Sequence, residues 1–258
     1  MNFGICKVSI SPVRAEASDR SEMVTQLLFG EKVEVLKTKK NWIKIKADFD
    51  AYEGWIDEKH LQEISQDEFF NTESPCLYTA EPFNLIVAHN EPTTLPLGAE
   101  IRNAEGGTFQ LGEDTYEIFC ETKQVQGLIS REELILLAKN YLNVPYLWGG
   151  KSNFGIDCSG LVQQVYKFAK IHLPRDAKDQ AQKGEMLGFV EEALPGDLAF
   201  FDNDEGQIIH VGIIIKNQHI LHAHGKVRID PIDSTGIFNT DMQKYSHKLR
   251  FIKRILPE

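Results

Sequence analysis

The amino-acid sequence predicts two small all-β barrels followed by a mixed α+β domain. Residues 1–66 carry short β-branched and aromatic runs separated by turn formers, which is typical of a small barrel. Residues 67–128 show a weaker version of this pattern, and residues 129–258 combine helical with strand periodicity. At 258 residues, with 42% hydrophobic and 26% charged residues, the chain is long enough for two or three globular domains.

Strand-like runs account for the first two regions. In the first region these runs are Val24–Leu28, Gly30–Leu36, Trp42–Lys46 and Tyr52–Ile56. In the second region they include Leu85–Ala88 and Glu117–Cys120, between turns that contain proline and glycine. We therefore expect two barrels, of which the second is the more divergent.

Two helices are predicted in the third region. Apolar residues at helical spacing indicate one helix over Glu132–Asn140, which ends before Pro145. A second helix begins at Cys158 and runs to Lys170, with one apolar face. Asp157 directly precedes this helix and is placed to act as its N-cap.

A β-hairpin is predicted downstream of the helices. The runs Ile208–Ile215 and His219–His224 are rich in apolar and β-branched residues and are joined by a three-residue loop. This loop length pairs His222 with Gly212. His210 then becomes a diagonal neighbour of His222, at a separation that an imidazole can bridge. Gly212 leaves the space between the two rings open.

The residues at the helix start and on the hairpin suit thiol chemistry. Splitting an amide through a covalent intermediate needs a nucleophile, a base, and a third group that holds the base. Cys158, His210 and His222 would supply these in turn. Unpaired N–H groups at a helix start favour the thiolate of Cys158, and the N–H of Cys158 itself would bind the oxyanion.

Each of these residues also has a structural alternative. A lone buried cysteine is usually a small inert hydrophobe, and buried histidines are often simply hydrogen-bonded. We expect His219 and His224 to be structural. A zinc site formed by these histidines and Cys158 remains an alternative, although no paired cysteines accompany them. The expectation is therefore a site without metal or cofactor.

Asp157 has a charge that opposes ionisation of the neighbouring sulfur. A carboxylate beside a thiol raises the thiol pKa, which indicates that Asp157 has a further task. With Tyr146 and Ser159 nearby in sequence, Asp157 would bind a substrate ammonium group. Helix capping is the alternative role, and both roles are compatible.

Several short motifs follow one another in the C-terminal half, from about residue 130 to residue 258. In chain order they are Trp148-Gly149-Gly150, Asp157-Cys158-Ser159-Gly160, Arg175-Asp176, Pro195-Gly196-Asp197, His210-Val211-Gly212 and His222. With these motifs the region resembles the NlpC/P60 cysteine peptidases of bacterial cell-wall metabolism. This resemblance implies a papain-like α+β core and hydrolysis of the γ-D-glutamyl bond to a diamino acid in peptidoglycan peptides. Trp148 and Asp176 lie in the matching motifs and are expected to bind substrate.

The N-terminal region is similar to bacterial SH3-like domains. The resemblance rests on Val13-Arg14-Ala15-Glu16, Ser21-Glu22, Gly30-Glu31, Trp42 and Tyr52-Glu53-Gly54-Trp55. Barrels ahead of an NlpC/P60 domain resemble the subgroup that trims recycled wall peptides. In that subgroup the first barrel closes one end of the cleft and supplies an aromatic residue and a carboxylate that recognise a free L-alanine amine. Tyr52 is the expected aromatic residue, and packing within the barrel is its alternative role. Glu16 is the expected carboxylate, with Glu22 as the alternative residue. A solvated loop charge is the alternative role of Glu16.

The charge and hydropathy of the sequence argue against nucleic-acid and membrane partners. The net charge is −10, and the basic residues in 37–46 and 247–254 alternate with strand-like apolar residues, so nucleic acid is disfavoured. No basic segment followed by a long apolar stretch is present, and we expect a cytoplasmic protein without a membrane partner. The four cysteines show no metal-ligand spacing and suit a reducing compartment.

The resemblance to the subgroup that trims recycled wall peptides implies small murein peptides of the type L-Ala-γ-D-Glu-diamino acid as substrates, cleaved to release L-Ala-D-Glu. Three other functions remain open on the sequence alone. They are a secreted endopeptidase acting on intact peptidoglycan, a non-catalytic protein that binds cell-wall peptides, and an acyltransferase. The sequence leaves the diamino acid undetermined between meso-diaminopimelate and lysine.

Overall fold

The structure, a computed structural model, describes residues 1–71, 75–124, 129–216 and 218–256. It separates into two compact units. The first consists of Met1–Gln126 with Trp148–Phe154, and the second of Gly127–Leu147 with Gly155–Glu258. The division into three domains stays a prediction, and its boundary at residue 128 falls outside the described residues. No helix in the described ranges is both long enough and apolar enough to cross a membrane.

A seven-stranded antiparallel sheet forms the N-terminal part of the first unit. The short helix α1 (Gln66–Phe70) follows it. The strand order is β3-β2-β6-β5-β4-β1-β7. Alternate residues of a strand face one side, so Ile43, Ile45 and Ala47 are buried between more exposed neighbours. The four predicted strand runs of this region all overlap these strands, which are β1 (Phe3–Cys6), β2 (Ile10–Arg14), β3 (Met23–Leu28), β4 (Lys32–Lys39), β5 (Trp42–Ala47), β6 (Glu53–Asp57) and β7 (Leu61–Ile64).

Two smaller sheets complete the all-β part of the first unit. Their orders are β10-β9-β13-β12 and β11-β8-β14. Phe29, the residue after β3, packs in one core with Ile86 and Phe109, so the sheets share buried residues with the N-terminal part. A second SH3-like barrel stays a prediction. The strands are β8 (Cys76–Thr79), β9 (Asn84–Ala88), β10 (Glu91–Leu95), β11 (Glu100–Arg102), β12 (Thr108–Leu111), β13 (Asp114–Ile118) and β14 (Thr122–Gln124).

The segment Trp148–Phe154 belongs to the first unit although it lies far along the chain. It contains the short strand β15 (Lys151–Ser152). The Nζ of Lys151 lies 3.0 and 2.8 Å from the two carboxylate oxygens of Glu31, and both side chains are buried. The backbone N–H of Lys151 donates to Gln26 at 2.8 Å. A buried ion pair therefore fixes this segment to the barrel.

Substituting one partner of this ion pair is expected to destabilise the first unit. Lys151→Met leaves the Glu31 carboxylate buried without its ammonium partner, which costs about 3–5 kcal/mol of unfolding free energy. Urea unfolding of the full chain measures this loss. The matched control is Lys44→Met, because Lys44 pairs with Glu53 at 2.6 Å on the exposed surface and should cost at most about 1 kcal/mol. Equal losses in the two variants would contradict the expectation.

The second unit combines helices with an antiparallel sheet. Its sheet order is β17-β23-β18-β19-β20-β21, with β22 paired to β23. Helix α3 packs against β19 and β20, and α2 packs against α3. The elements are α2 (Arg131–Lys139), β16 (Gly155–Ile156), α3 (Cys158–Lys167), α4 (Ala177–Gln180), β17 (Glu185–Leu187), β18 (Leu198–Asp202), β19 (Ile208–Ile215), β20 (His219–His224), β21 (Lys226–Pro231), β22 (Gly236–Asn239) and β23 (Lys244–Arg254).

The predicted helices and hairpin of this unit are confirmed, with one difference in length. Helix α3 begins at Cys158 as expected but ends at Lys167, three residues early, because Lys170 adopts a left-handed backbone with φ of 54°. Strands β19 and β20 match the predicted runs, and Gly212 pairs with His222 as predicted. Residue 217 of the hairpin loop lies outside the described residues.

Candidate active site

Cys158 is the first residue of α3 and is buried, with 7% of its surface exposed. Asp157 caps the helix as predicted, because its Oδ1 accepts a hydrogen bond of 2.7 Å from the Gly160 N–H. The sulfur of Cys158 receives hydrogen bonds from the backbone of Val211 and of Ser159. Since Val211 follows His210 in β19, the sulfur lies beside the strand that carries the proposed base.

The protonation state of Cys158 differs from the sequence-based expectation. The helix start was expected to favour the thiolate. Burial instead raises the pKa of Cys158 to about 12, and the charge of Asp157 acts in the same direction. The hydrogen bonds to the sulfur lower its pKa, but they do not outweigh burial. At neutral pH the sulfur therefore rests as a thiol and needs a base to become nucleophilic.

His210 and His222 meet across the β19–β20 hairpin. The Nε2 of His210 lies 2.9 Å from the Nδ1 of His222, and the two rings are nearly perpendicular. Both residues are buried. Burial lowers the pKa of His210 well below its ordinary range, and the neighbouring histidines add to this effect. His210 is therefore uncharged at neutral pH, which is the state that can accept a proton.

The Asp157 carboxylate is paired with Arg175. The guanidinium binds both carboxylate oxygens, at 2.9 Å and 2.5 Å, and its Nη1 also donates to the Ser159 hydroxyl at 2.9 Å. Arg175 is buried, so this bidentate pair fixes the residues on both sides of Cys158. In the sequence Arg175 is recognisable only as part of a motif, and its pairing with Asp157 was not predicted. Binding of a substrate ammonium by Asp157 and Ser159 stays a prediction.

Tyr146 is a further predicted binding residue that lies near the sulfur. Burial raises the pKa of Tyr146 to about 12, and the nearby charges of Cys158 and Asp157 contribute. The side chain of Tyr146 is half-buried. Asp176 occupies the N-cap position of α4 without a side-chain capping bond, and its carboxylate lies 3.9 Å from the Lys178 ammonium.

Comparison with known proteins shows the family to which the chain belongs. Residues 143–246 match the NlpC/P60 family, and residues 13–61 match the bacterial dipeptidyl-peptidase SH3 domain. A Bacillus subtilis (strain 168) protein named gamma-D-glutamyl-L-lysine dipeptidyl-peptidase is 31% identical, over 77% of this chain and 71% of that protein. The chain belongs to the NlpC/P60 family of cysteine peptidases.

Two further relatives extend over nearly the whole of this peptidase. A Bacillus cereus (strain ATCC 10987 / NRS 248) protein, also named gamma-D-glutamyl-L-lysine dipeptidyl-peptidase, is 27% identical over 91% of this chain and 77% of its own length. The crystal structure of an NlpC/P60 family protein from Bacillus cereus ATCC 10987 superposes with a TM-score of 0.82 at 21% identity, and covers 99% of this chain and 100% of that one. The peptidase thus has an NlpC/P60 domain preceded by an SH3-like domain.

Three of the predicted binding residues lie in the first unit of the peptidase. Trp148 is 64% exposed, and its indole N–H donates to the Glu22 carboxylate at 2.6 Å. Glu16 is exposed, and Tyr52 is half-buried directly before β6. Glu22, the alternative to Glu16, is therefore already engaged with Trp148. The roles of Trp148, Glu16 and Tyr52 stay predictions.

Sequence reasoning missed two residues beside the histidine pair. The Nε2 of His222 lies 3.1 Å from the carboxylate of Asp230, which is fully buried on β21. His247 on β23 stacks on His210, with ring centroids 4.1 Å apart. The contact of Asp230 could have been predicted from the sequence, because a tight turn at Gly225 brings β21 alongside His222. The contact of His247 could not, since its strand is distant in sequence.

The three stacked or bonded histidines also bear on the zinc alternative. Ligand atoms of His210, His222 and His247 lie within 4.8 Å of one another. However, His210 and His222 are hydrogen-bonded to each other, His222 is bonded to Asp230, and the Nδ1 of His247 lies 2.9 Å from the Ser246 hydroxyl. Hydrogen bonding therefore accounts for the cluster in the described part of the chain.

Proposed function

We propose that this peptidase hydrolyses the γ-D-glutamyl–diamino acid bond of murein peptides that carry a free N-terminal L-alanine, and releases L-Ala-D-Glu. The observation that carries this proposal is the likeness to two proteins named gamma-D-glutamyl-L-lysine dipeptidyl-peptidase, over 91% and 77% of the chain. The stretch matched by the NlpC/P60 family, residues 143–246, contains Cys158, His210 and His222, and residues 13–61 match the SH3 domain. We further propose that the reaction serves wall-peptide recycling in the cytoplasm.

The proposed hydrolysis begins with an uncharged Cys158 thiol and an uncharged His210 imidazole. His210 removes the thiol proton through Nδ1 as the sulfur of Cys158 attacks the γ-carbonyl carbon of D-glutamate. The oxyanion of the tetrahedral intermediate is bound by the N–H of Cys158, which has no intrahelical acceptor at the first helical position. Collapse breaks the C–N bond, and His210 returns the proton to the leaving amine. Water, deprotonated by His210, then hydrolyses the thioester.

Burial of Cys158 and His210 shapes the first step. Because both groups rest uncharged, an ion pair forms only as the sulfur attacks. Hydrogen bonds from the backbone of Val211 and Ser159 stabilise negative charge on the sulfur. The Nδ1 of His222 lies 2.9 Å from the Nε2 of His210, and by accepting its hydrogen bond it would stabilise the imidazolium. These three groups are already in place before substrate binds, which lowers the reorganisation needed in the transition state.

Recognition of the free amine is proposed for the binding residues that the sequence predicts. An ammonium is bound best by carboxylate and hydroxyl oxygens. Tyr146, Asp157 and Ser159 lie beside Cys158, while Glu16 and Tyr52 belong to the first unit. Since Arg175 already neutralises Asp157, we favour Glu16 as the carboxylate that compensates the ammonium charge.

Matched peptides test this function. The protein is incubated with L-Ala-γ-D-Glu-meso-diaminopimelate, with its L-lysine counterpart, and with the N-acetylated form of each, and products are followed by mass spectrometry. We expect L-Ala-D-Glu and the diamino acid from the free peptides only. Cleavage of the acetylated forms together with purified sacculi would favour an endopeptidase of intact wall instead. Binding without any cleavage would overturn the proposal.

The close packing of Gly212, in the middle of β19, against β20 provides a structural test of the same site. A Cβ at Gly212 would lie 2.7 Å from Ile220 Cδ1 and 2.9 Å from His222 Cβ. Gly212→Ala is therefore expected to displace His222, to cost about 1–3 kcal/mol of stability, and to lower kcat by about tenfold or more. Thermal unfolding and tripeptide turnover measure the two effects. Gly188→Ala is the control, since its Cβ would meet only Glu192 Oε2 at 3.7 Å.

A further inference from the structure

A row of hydrogen bonds extends from the proposed base into the sheet. His210 contacts His222 at 2.9 Å, His222 contacts Asp230 at 3.1 Å, and Arg228 donates to both oxygens of Asp230 at 2.6 and 2.9 Å. We propose that Asp230 is a positioning residue that sets the tautomers of both histidines, and so leaves the Nδ1 of His210 as the proton acceptor for Cys158. Only its kinetic test rests on the proposed function.

The carboxylate of Asp230 determines where each hydrogen of the two imidazoles lies. An ionised carboxylate only accepts hydrogen bonds, so the Nε2 of His222 must carry the hydrogen that points to Asp230. A neutral imidazole has one donor and one acceptor nitrogen, so the Nδ1 of His222 is then an acceptor. The Nε2 of His210 therefore donates to it. The remaining nitrogen of His210, Nδ1, keeps its lone pair.

Asp230 is held in the state that this sequence of bonds requires. Burial acts to raise its pKa, but hydrogen bonds from His222 and Arg228 outweigh burial and hold the pKa of Asp230 well below its usual range. The Thr240 hydroxyl adds a hydrogen bond of 3.2 Å to the same carboxylate. Arg228 is held in turn by Asp241, at 2.7 Å. The carboxylate is thus ionised and fixed at both oxygens.

The reversed arrangement would disable the base without disturbing the packing. With the hydrogen of His222 on Nδ1, the Nε2 of His210 would have to accept, and its Nδ1 would carry a hydrogen. No lone pair would then be available for the thiol proton. Replacing the carboxylate of a serine-peptidase triad, which acts on a single histidine, costs about 10⁴-fold in kcat through this effect. Here the carboxylate acts through a second imidazole.

Histidine nitrogen NMR tests the proposal directly. In the full-length wild type labelled with ¹⁵N-histidine, we expect His210 and His222 both as Nε2–H tautomers, assigned through the signals lost in His222→Gln. Asp230→Asn replaces one acceptor oxygen by a donor and is expected to populate the Nδ1–H form of His222. It should also lower kcat/KM by about 100-fold, and slow alkylation of Cys158 by iodoacetamide, because the carboxylate acts through His222.

The control variant is Asp233→Asn. It removes one carboxylate charge just beyond the end of β21, at an exposed side chain that accepts a hydrogen bond from Tyr245, and should leave kcat/KM within about twofold of wild type. An Nδ1–H tautomer of His222 in the wild type would overturn the proposal, whether or not Asp230→Asn folds. Unchanged alkylation and kcat/KM in a folded Asp230→Asn would also overturn it. The proposed substrate can fail independently of this inference. In that case the wild type does not cleave the tripeptide, but the histidine tautomers and the alkylation of Cys158 still behave as expected.

Discussion

Cys158→Ala is expected to abolish tripeptide turnover while the protein keeps its fold. The thiol supplies the electron pair for the attack, and no other described group lies at the same position against Val211. Loss of a covalent nucleophile costs kcat at least about 10⁴-fold. Alanine is well tolerated at a first helical position, so the free energy of unfolding should change by at most about 1 kcal/mol. Mass spectrometry of products and thermal unfolding measure the two quantities.

The matched control for this variant is Cys120→Ala. Cys120 is a half-buried thiol of the first unit, outside the proposed site. The same chemical change there should leave turnover unaltered. Turnover by Cys158→Ala within about tenfold of wild type would show that another group is the nucleophile.

His210→Gln is expected to give the second largest loss. Glutamine retains an amide that can bond to His222, but it cannot accept the thiol proton. General-base catalysis of this kind contributes about 10²–10⁴-fold, so kcat/KM should fall by about 10³-fold. His224→Gln removes an imidazole from the same region, on β20, and should retain turnover within about fivefold. Equal losses in the two variants would contradict the assignment of His210.

The pH profile of the wild type gives an independent test of His210. Only the unprotonated ring can act as the base, so kcat/KM is lost as the pH falls through the pKa of His210. Burial and the neighbouring histidines lower that pKa, so activity should persist as the pH falls below about 6.5, the ordinary histidine value. An acid limb with its midpoint at or above this value would contradict a buried neutral His210.

Local features of the site were predictable from the sequence. The start of α3, its Asp157 cap, and the pairing of Gly212 with His222 all depend on residues within a few positions of one another. Turn length and capping chemistry act at that range. The pairing of His222 with Asp230 belongs to the same class, since it follows from the turn at Gly225.

Other features depend on contacts that no local pattern encodes. His247 reaches His210 through the pairing of β18 with β23, some fifty residues apart in sequence. The Asp157–Arg175 pair and the Lys151–Glu31 pair likewise join separate segments. The thiol pKa was misjudged for a related reason. The helix start is a local effect, whereas burial depends on the whole unit and outweighs it.

The salt bridge of Lys151 has a consequence for how such enzymes can be recombined. Because Trp148–Phe154 counts with the N-terminal unit, a fragment cut after the barrels would retain this lysine and lose its carboxylate partner. The excised fragment would also lose the amide acceptor of Gln26. The N-terminal unit therefore cannot be exchanged as residues 1–126 alone. A chimera that replaces this unit must transfer Glu31, Gln26 and the segment Trp148–Phe154 together.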